Sequence, residues 1–181
     1  MTNTDRDYIS LKEMPSKFNE MMAAKRLKNW SMIQGPSNLE EMNKKKLLEV
    51  KDHPKGPIGA ELEKDDRMTL SVFLKFGKGS KKWTSACGNM TMMVKKDKKN
   101  KINVHWKVWG QAQKNNHKKE YIDPTHIASL DYVCSMLERT YCTGFKDNNG
   151  SDSHGVPHNM RKSHDTFRCQ ACAAGVCRFI K

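Results

Sequence analysis

The stretch "RMTLSVFLKF", residues 67–76, puts Met68, Leu70, Val72, Leu74 and Phe76 at every second position. A period of two is the signature of an extended strand that buries one face and leaves the other to solvent or to a second layer. The same alternation returns twice. It places Met90, Met92 and Val94 in "NMTMMVKK" (89–96), and Ile102, Val104, Trp106 and Val108 in "KINVHWKVW" (101–109). The intervening "KKDKKNK" (95–101) has the polarity and length of a hairpin loop. Three such runs in succession predict an antiparallel sheet of three or more strands.

Outside the sheet the period changes. "SKFNEMMAAKRLKNW" (16–30) places Phe18, Met21, Met22 and Trp30 near one side of a helix, with Ser16 as its cap. "SNLEEMNKKKLLEVK" (37–51) opens with Ser37 and Glu40 at capping-box spacing, and Leu39, Met42 and Leu47 form one stripe. After the sheet, Asp123-Pro124 has the chemistry of a helix start. Ile127, Leu130, Cys134, Leu137 and Tyr141 then recur at three- and four-residue spacing. Strands followed by a helix predict an α+β fold, with helices packed on an antiparallel sheet. The chain divides by composition into three parts. Residues 1–59 form a helical and flexible N-terminal region that ends in the linker "DHPKGPIG" (52–59); residues 60–142 form a basic α+β core. Residues 143–181 hold a Gly/Asn/Ser/His-rich loop and a Cys/His-rich tail. Of the twelve methionines, Met21, Met22, Met90, Met92 and Met93 are expected to fill core gaps.

Charge is concentrated. The chain carries a formal net charge of +13, and residues 67–119 hold fourteen Lys/Arg against Asp97 alone. The segments on either side each balance to zero. A basic block of this kind marks a surface for phosphate-rich partners, nucleic acid first and an anionic membrane surface second. With even-numbered strand residues turned to the core, Phe73, Lys75, His105, Lys107 and Trp109 face the other way. Lysines there attract phosphates, and rings can stack on unpaired bases. Lys78, Lys81, Lys82, Lys95, Lys96, Lys98, Lys99 and Lys101 extend the charge through the adjoining loops. Lysine acts as a point charge rather than a bidentate fork, so backbone contact with RNA or single-stranded nucleic acid is expected, not base-specific readout.

The tail "SHDTFRCQACAAGVCRFIK" (163–181) carries Cys169 and Cys172 at the spacing at which two thiolates converge on one Zn²⁺. His164 and Cys177 lie four residues outside on either side, giving four ligands within fourteen residues. His154, His158 and Cys142 are alternate ligands, and Cys134 could also reach in. A short helical turn whose cysteines pack as small hydrophobes is the competing reading. The polar, acidic N-terminus has no secretory pattern, and no apolar run is long enough to span a bilayer. An intracellular place, in cytoplasm or nucleus, is therefore expected, and there clustered cysteines favour metal over disulfides.

No P-loop, dinucleotide-binding glycine pattern, His-Glu-x-x-His or zinc-deaminase signature occurs, and no third residue orients a Cys142/His158 pair, so no catalytic residues are expected. The chain reads as a non-enzymatic nucleic-acid-binding protein with a zinc-stabilised tail. In general composition it is similar to the small basic cysteine-rich proteins of RNA viruses, a likeness that carries no residue across. Two other readings stand beside it. One is a matrix-type structural protein that self-associates into a homo-oligomer and bridges ribonucleoprotein to an acidic membrane. The other is a host-factor adaptor.

Overall fold

The computed structural model describes residues 6–33, 66–113, 120–141, 164–175 and 177. The expected helix at 37–51, the 52–59 linker and the loop holding Cys142, His154 and His158 lie outside these residues. The elements run in the order β1 (Ile9–Ser10), α1 (Met14–Ala24), β2 (Trp30–Met32), β3 (Asp66–Lys78), β4 (Lys81–Lys96), β5 (Ile102–Val108), β6 (Gln111–Ala112), β7 (Tyr121–Ile122), β8 (Pro124–Ala128), α2 (Leu130–Tyr141), a 3-10 turn (Thr166–Arg168) and α3 (Gln170–Ala173). One sheet has six strands in the order β1-β8-β3-β4-β5-β2, and β6 and β7 form a separate pair. The fold is α+β with a mostly antiparallel sheet; β2 alone runs parallel to its neighbour, β5.

The alternating runs at the centre form β3, β4 and β5. Leu70, Val72, Leu74 and Phe76 are all buried, as are Met90, Met92, Val94, Ile102, Val104, Trp106 and Val108. Of the loop expected at 95–101, Lys95 and Lys96 belong to β4 and pair with Asn103 and Ile102, and Asp97–Lys101 forms a tight turn. Asp97 Oδ1 accepts from the backbone N–H groups of Lys99 (2.8 Å) and Lys101 (3.0 Å), and Asn100 takes the left-handed conformation at φ 60°. These two amides hold the Asp97 carboxyl below the usual carboxylate range. The β3–β4 turn has Gly79 at φ 60° for the same steric reason.

Two helices cover the first face. Met14, Phe18 and Met22 of α1 and Leu130, Val133, Cys134, Leu137 and Tyr141 of α2 join the strand residues in one core. The Trp30 and Tyr141 rings meet at 5.9 Å, tilted by 51°. Lys25 Nζ also pairs with Glu138 Oε2 at 2.7 Å across the helices, with each side chain about one-third exposed (31%). A pair that wet is worth ~0–1 kcal/mol, whereas each buried apolar side chain contributes about 1.5–3 kcal/mol, so packing holds the helices down. Burial pushes the Cys134 thiol up to about 12, which makes it an inert core residue.

Three expectations are corrected. α1 starts at Met14, not Ser16, with Glu13 at the N-cap and Pro15 in the first turn, where its missing N–H costs nothing. It ends before Arg26, whose φ of 65° breaks the helix, and Trp30 passes into β2. The chain is also ordered nearer its start than expected: Ile9–Ser10 pairs with β8, and Met14 and Pro15 are buried. Pro124–Ala128 is a strand, not the first turns of a helix. Pro124 sits opposite Phe76 beside a register irregularity, where a missing donor is tolerated. Ser129, at φ 73°, separates this strand from α2. The Ile127–Leu130 spacing imitates a helical period only because a strand and a helix abut there.

The β3–β4 hairpin carries a bulge between Val72 and Leu74, and Gly88 pairs with Val72. A Cβ at Gly88 would lie 2.5 Å from Leu74 Cδ1 and 2.6 Å from the Val72 carbonyl oxygen. The oxygen belongs to the ladder and cannot yield as a side-chain end could. Gly88→Ala should therefore destabilise the fold by about 1–3 kcal/mol through overpacking, read as a lower urea midpoint with unchanged slope.

Candidate metal centre and basic surface

The second face of the sheet is not left open. Its β4 residues include Asn89, Thr91 and Met93, and all three are buried. Beside them Trp109 donates from Nε1 to Thr91 Oγ1 at 2.8 Å, and Thr91 meets Thr69 Oγ1 at 3.0 Å. Over this floor lies the C-terminal segment. Met93, Trp109, Cys169, Ala171 and Cys177 form a second apolar cluster, separate from the main core.

Backbone and amide contacts fix the segment in place. Gly110 N–H donates to Gln170 Oε1 at 2.8 Å, and Gln170 N–H donates to the Gly110 carbonyl at 3.2 Å. Gln111 and Cys169 form an antiparallel bridge. A Cβ at position 110 would stand 2.7 Å from the Ile122 carbonyl oxygen and 3.1 Å from Gln170 Oε1, so only glycine lets the two backbones approach. Within the segment, Asp165 Oδ1 caps the 3-10 turn by accepting from Phe167 N–H at 3.1 Å, and α3 follows. Gly175, at φ 73°, turns the chain so that Cys177 returns toward Cys169.

The result brings His164, Cys169, Cys172 and Cys177 together, with their ligand atoms all within 4.8 Å of one another. His164 Nε2 stands 3.3 Å from Cys172 Sγ and 3.4 Å from Cys177 Sγ, and the Cys169 and Cys177 sulfurs are 3.9 Å apart. A tetrahedral ion with metal–sulfur bonds of about 2.3 Å and metal–nitrogen bonds of about 2.0 Å separates its sulfurs by about 3.8 Å. It holds sulfur and nitrogen about 3.5 Å apart. The four side chains match that spacing and could hold a metal ion. Of the expected ligand set, all four members converge. The packing alternative is also partly realised, since Cys169 and Cys177 are buried in one cluster with Trp109.

Electrostatics show what the pocket lacks on its own. The Cys169 thiol is raised by its hydrogen bond with Cys177 and by burial, and the Cys172 thiol is raised chiefly by burial. His164 is raised to about 10, first by its hydrogen bond with Cys177 and then by those with Cys87 and Cys172, against the opposing effect of burial. Three sulfurs and an imidazole crowd into a site where negative charge is penalised. A divalent cation inverts that balance and makes the thiolates the stable form.

The sheet adds a donor that sequence reasoning missed. Asn89, 2% exposed, points Nδ2 at Cys177 Sγ (3.4 Å) and at Cys169 Sγ (3.9 Å). Gln170, Gly110 and Cys87, which contacts the His164 ring, were likewise unforeseen. Nothing in the sequence links position 89 to positions 169 and 177. The sole cue is a polar residue placed where β4 reads as continuously apolar.

Among the described residues the basic side chains do not form one continuous patch. Lys81 and Lys82 are exposed at the start of β4, while Lys98, Lys99 and Lys101 are exposed at the turn beyond its end, with Lys95 and Lys96 half-buried beside them. β4 has sixteen residues, so the two clusters lie roughly 50 Å apart along the strand. The Lys78 side chain lies outside the described residues. Lys75 Nζ sits 4.1 Å from the centre of the Tyr8 ring, and Phe73 lies under the Arg6 guanidinium at 3.7 Å. Trp109 is only 7% exposed and Lys107 only 8%, with its ammonium 5.1 Å from the Trp109 ring. The tail therefore occupies the very ring and cation that were expected to face a ligand. His105 and Phe73 are half-buried.

Against protein-family models, curated proteins and solved structures, the chain finds no match.

Two outcomes follow from this geometry. Asn89→Leu, which keeps the volume but removes the N–H donors, should weaken metal affinity about 10–100-fold, measured by chelator competition. Metal binding should also release at least about three protons per ion near neutral pH, because the Cys169 and Cys172 thiols and the His164 imidazolium are protonated before the ion arrives. Calorimetry in buffers of different ionisation enthalpy would count them, and affinity should fall steeply as pH drops.

Proposed function

We propose that this chain is a non-enzymatic nucleic-acid-binding protein that holds RNA or another single strand through its backbone, with a C-terminal segment folded around one Zn²⁺. One observation carries the binding half of this reading: the entire net charge of +13 falls within residues 67–119, and its exposed lysines among the described residues lie at the two ends of a single long strand. A charge placed only to guard strand edges would not need that density. Lysine clusters at separated points suit a flexible polyanion, which can touch both while bending between them.

The donor set supports zinc. Three soft sulfurs and an imidazole at tetrahedral spacing are the ligands of structural zinc sites, and four protein ligands leave no open position for a substrate. In this reading His164, Cys169, Cys172 and Cys177 hold the ion. Its contribution is a cross-link that keeps the tail on the sheet, in a chain segment whose own apolar cluster is small.

Purified, fully reduced protein should contain close to one equivalent of zinc; less than about 0.2 equivalents would remove the ion from this reading. Affinity for a single-stranded RNA oligonucleotide should fall with salt, and the Lys95, Lys96, Lys98 and Lys99 to Ala variant should bind more weakly. Its log–log salt slope should be shallower by up to about three. An unchanged affinity in that variant would count against the loop, and sedimentation with anionic vesicles in place of oligonucleotide binding would favour the membrane-bridging alternative.

A further inference from the structure

Phe167 is 64% exposed and is the large hydrophobic side chain that the described residues leave in solvent. Its position is tightly determined. It lies in the three-residue turn between His164 and Cys169, the first two members of the metal cluster. Asp165 Oδ1 accepts from its backbone N–H at 3.1 Å, and Asp165 Oδ2 accepts from Arg168 Nε at 2.6 Å. That bond, with the neighbouring backbone amides, holds the Asp165 carboxyl below the usual range. The aspartate thus ties the backbone of Phe167 and the side chain of Arg168 into one short turn. Cys169 anchors the turn to the sheet through its bridge with Gln111.

The setting of this turn matters as much as its ring. The segment lies over Asn89, near the middle of β4. From Asn89 the strand runs roughly 20 Å back to Lys82 and roughly 20 Å on to Lys95. A single strand that follows β4 from one lysine cluster to the other passes the tail at Asn89.

We propose that Phe167, with Arg168 beside it, is a stacking platform for one unpaired base of a single-stranded nucleic acid. This rests on the nucleic-acid reading above and deepens it by supplying a base contact between two phosphate contacts. An exposed ring followed in the chain by a cation suits a base: the faces can stack, and the guanidinium can meet the phosphate or the base edge. A protein partner fits less well. A stable protein interface buries about 800 Å² per side, and one ring amid Asp165, Thr166 and Arg168 offers a small fraction of that as apolar surface. Because metal ligands bracket the turn, the platform holds its shape only while the tail is folded.

The test uses the full-length reduced protein loaded with zinc and a fluorescently labelled oligouridine. Phe167→Ala should weaken binding about 10-fold or more, as expected for the loss of one stacked base, while its zinc content and the salt slope stay at wild-type values. Phe167→Trp should retain affinity, and its exposed indole should be quenched on titration with oligouridine; the wild-type chain, whose Trp30, Trp106 and Trp109 are buried, supplies the background signal. Wild-type affinity in Phe167→Ala, without quenching in Phe167→Trp, overturns the platform and leaves the lysine reading standing. If the wild-type protein itself binds no oligonucleotide, both fall together. Loss of binding in Phe167→Ala with loss of zinc would assign Phe167 to folding of the tail; quenching in Phe167→Trp would then decide in favour of the platform, and its absence against it.

Discussion

Everything in this molecule turns on β4 being buried on both sides. From Gly88 to Val94 every residue is buried. Met90, Met92 and Val94 look toward the helices, while Asn89, Thr91 and Met93 look toward the C-terminal segment. A strand in the middle of a sheet can satisfy its backbone in both ladders, but its side chains need a layer on each face. Helices α1 and α2 supply one layer. The other is only a short tail with a cluster of five buried residues, too small to hold itself in place by apolar area alone. The four candidate ligands lie in this thin layer, and a coordinated ion would cross-link what packing alone holds weakly.

This arrangement explains the polar residues under the tail. Asn89 and Thr91 would be costly on a buried strand without partners. Thr91 is satisfied by Trp109 and Thr69, and Asn89 directs its amide at the two sulfurs that crowd each other most closely. An amide donor aimed at sulfur steadies a thiolate far better than a thiol. Burial and the crowding of sulfurs make the cysteines reluctant to ionise alone, while the amide favours the thiolates that a cation would need. Gly110 and Gln170 complete the dock with two hydrogen bonds at a point where no side chain would fit.

Burying the second face also redistributes charge. With Trp109 packed against the tail and Lys107 buried, the centre of β4 is closed to solvent, and the exposed lysines among the described residues of 67–119 lie at its two ends. Electrostatic attraction there is long-ranged and unspecific. Phe167 is the large hydrophobic side chain that the described part of the tail leaves exposed.

Local patterning was legible wherever one face decided a segment. Alternation marked β3, β4 and β5, the Asp97–Lys101 turn followed from its polarity, and the four converging donors of the tail followed from their spacing. Those features depend on residues a few positions apart, and the chain alone determines them. The sequence did not reveal that Pro124–Ala128 is a strand, since Ile127 and Leu130 sit at a helical interval across a Ser129 break. Nor did it reveal that Trp30 leaves the helix to run parallel to β5. It gave no sign that the sheet's second face is covered, so that Trp109 packs inward and Asn89 reaches Cys177. Those outcomes join residues some eighty positions apart, and only the folded sheet sets them, because burial of a face depends on which distant segment is available to cover it.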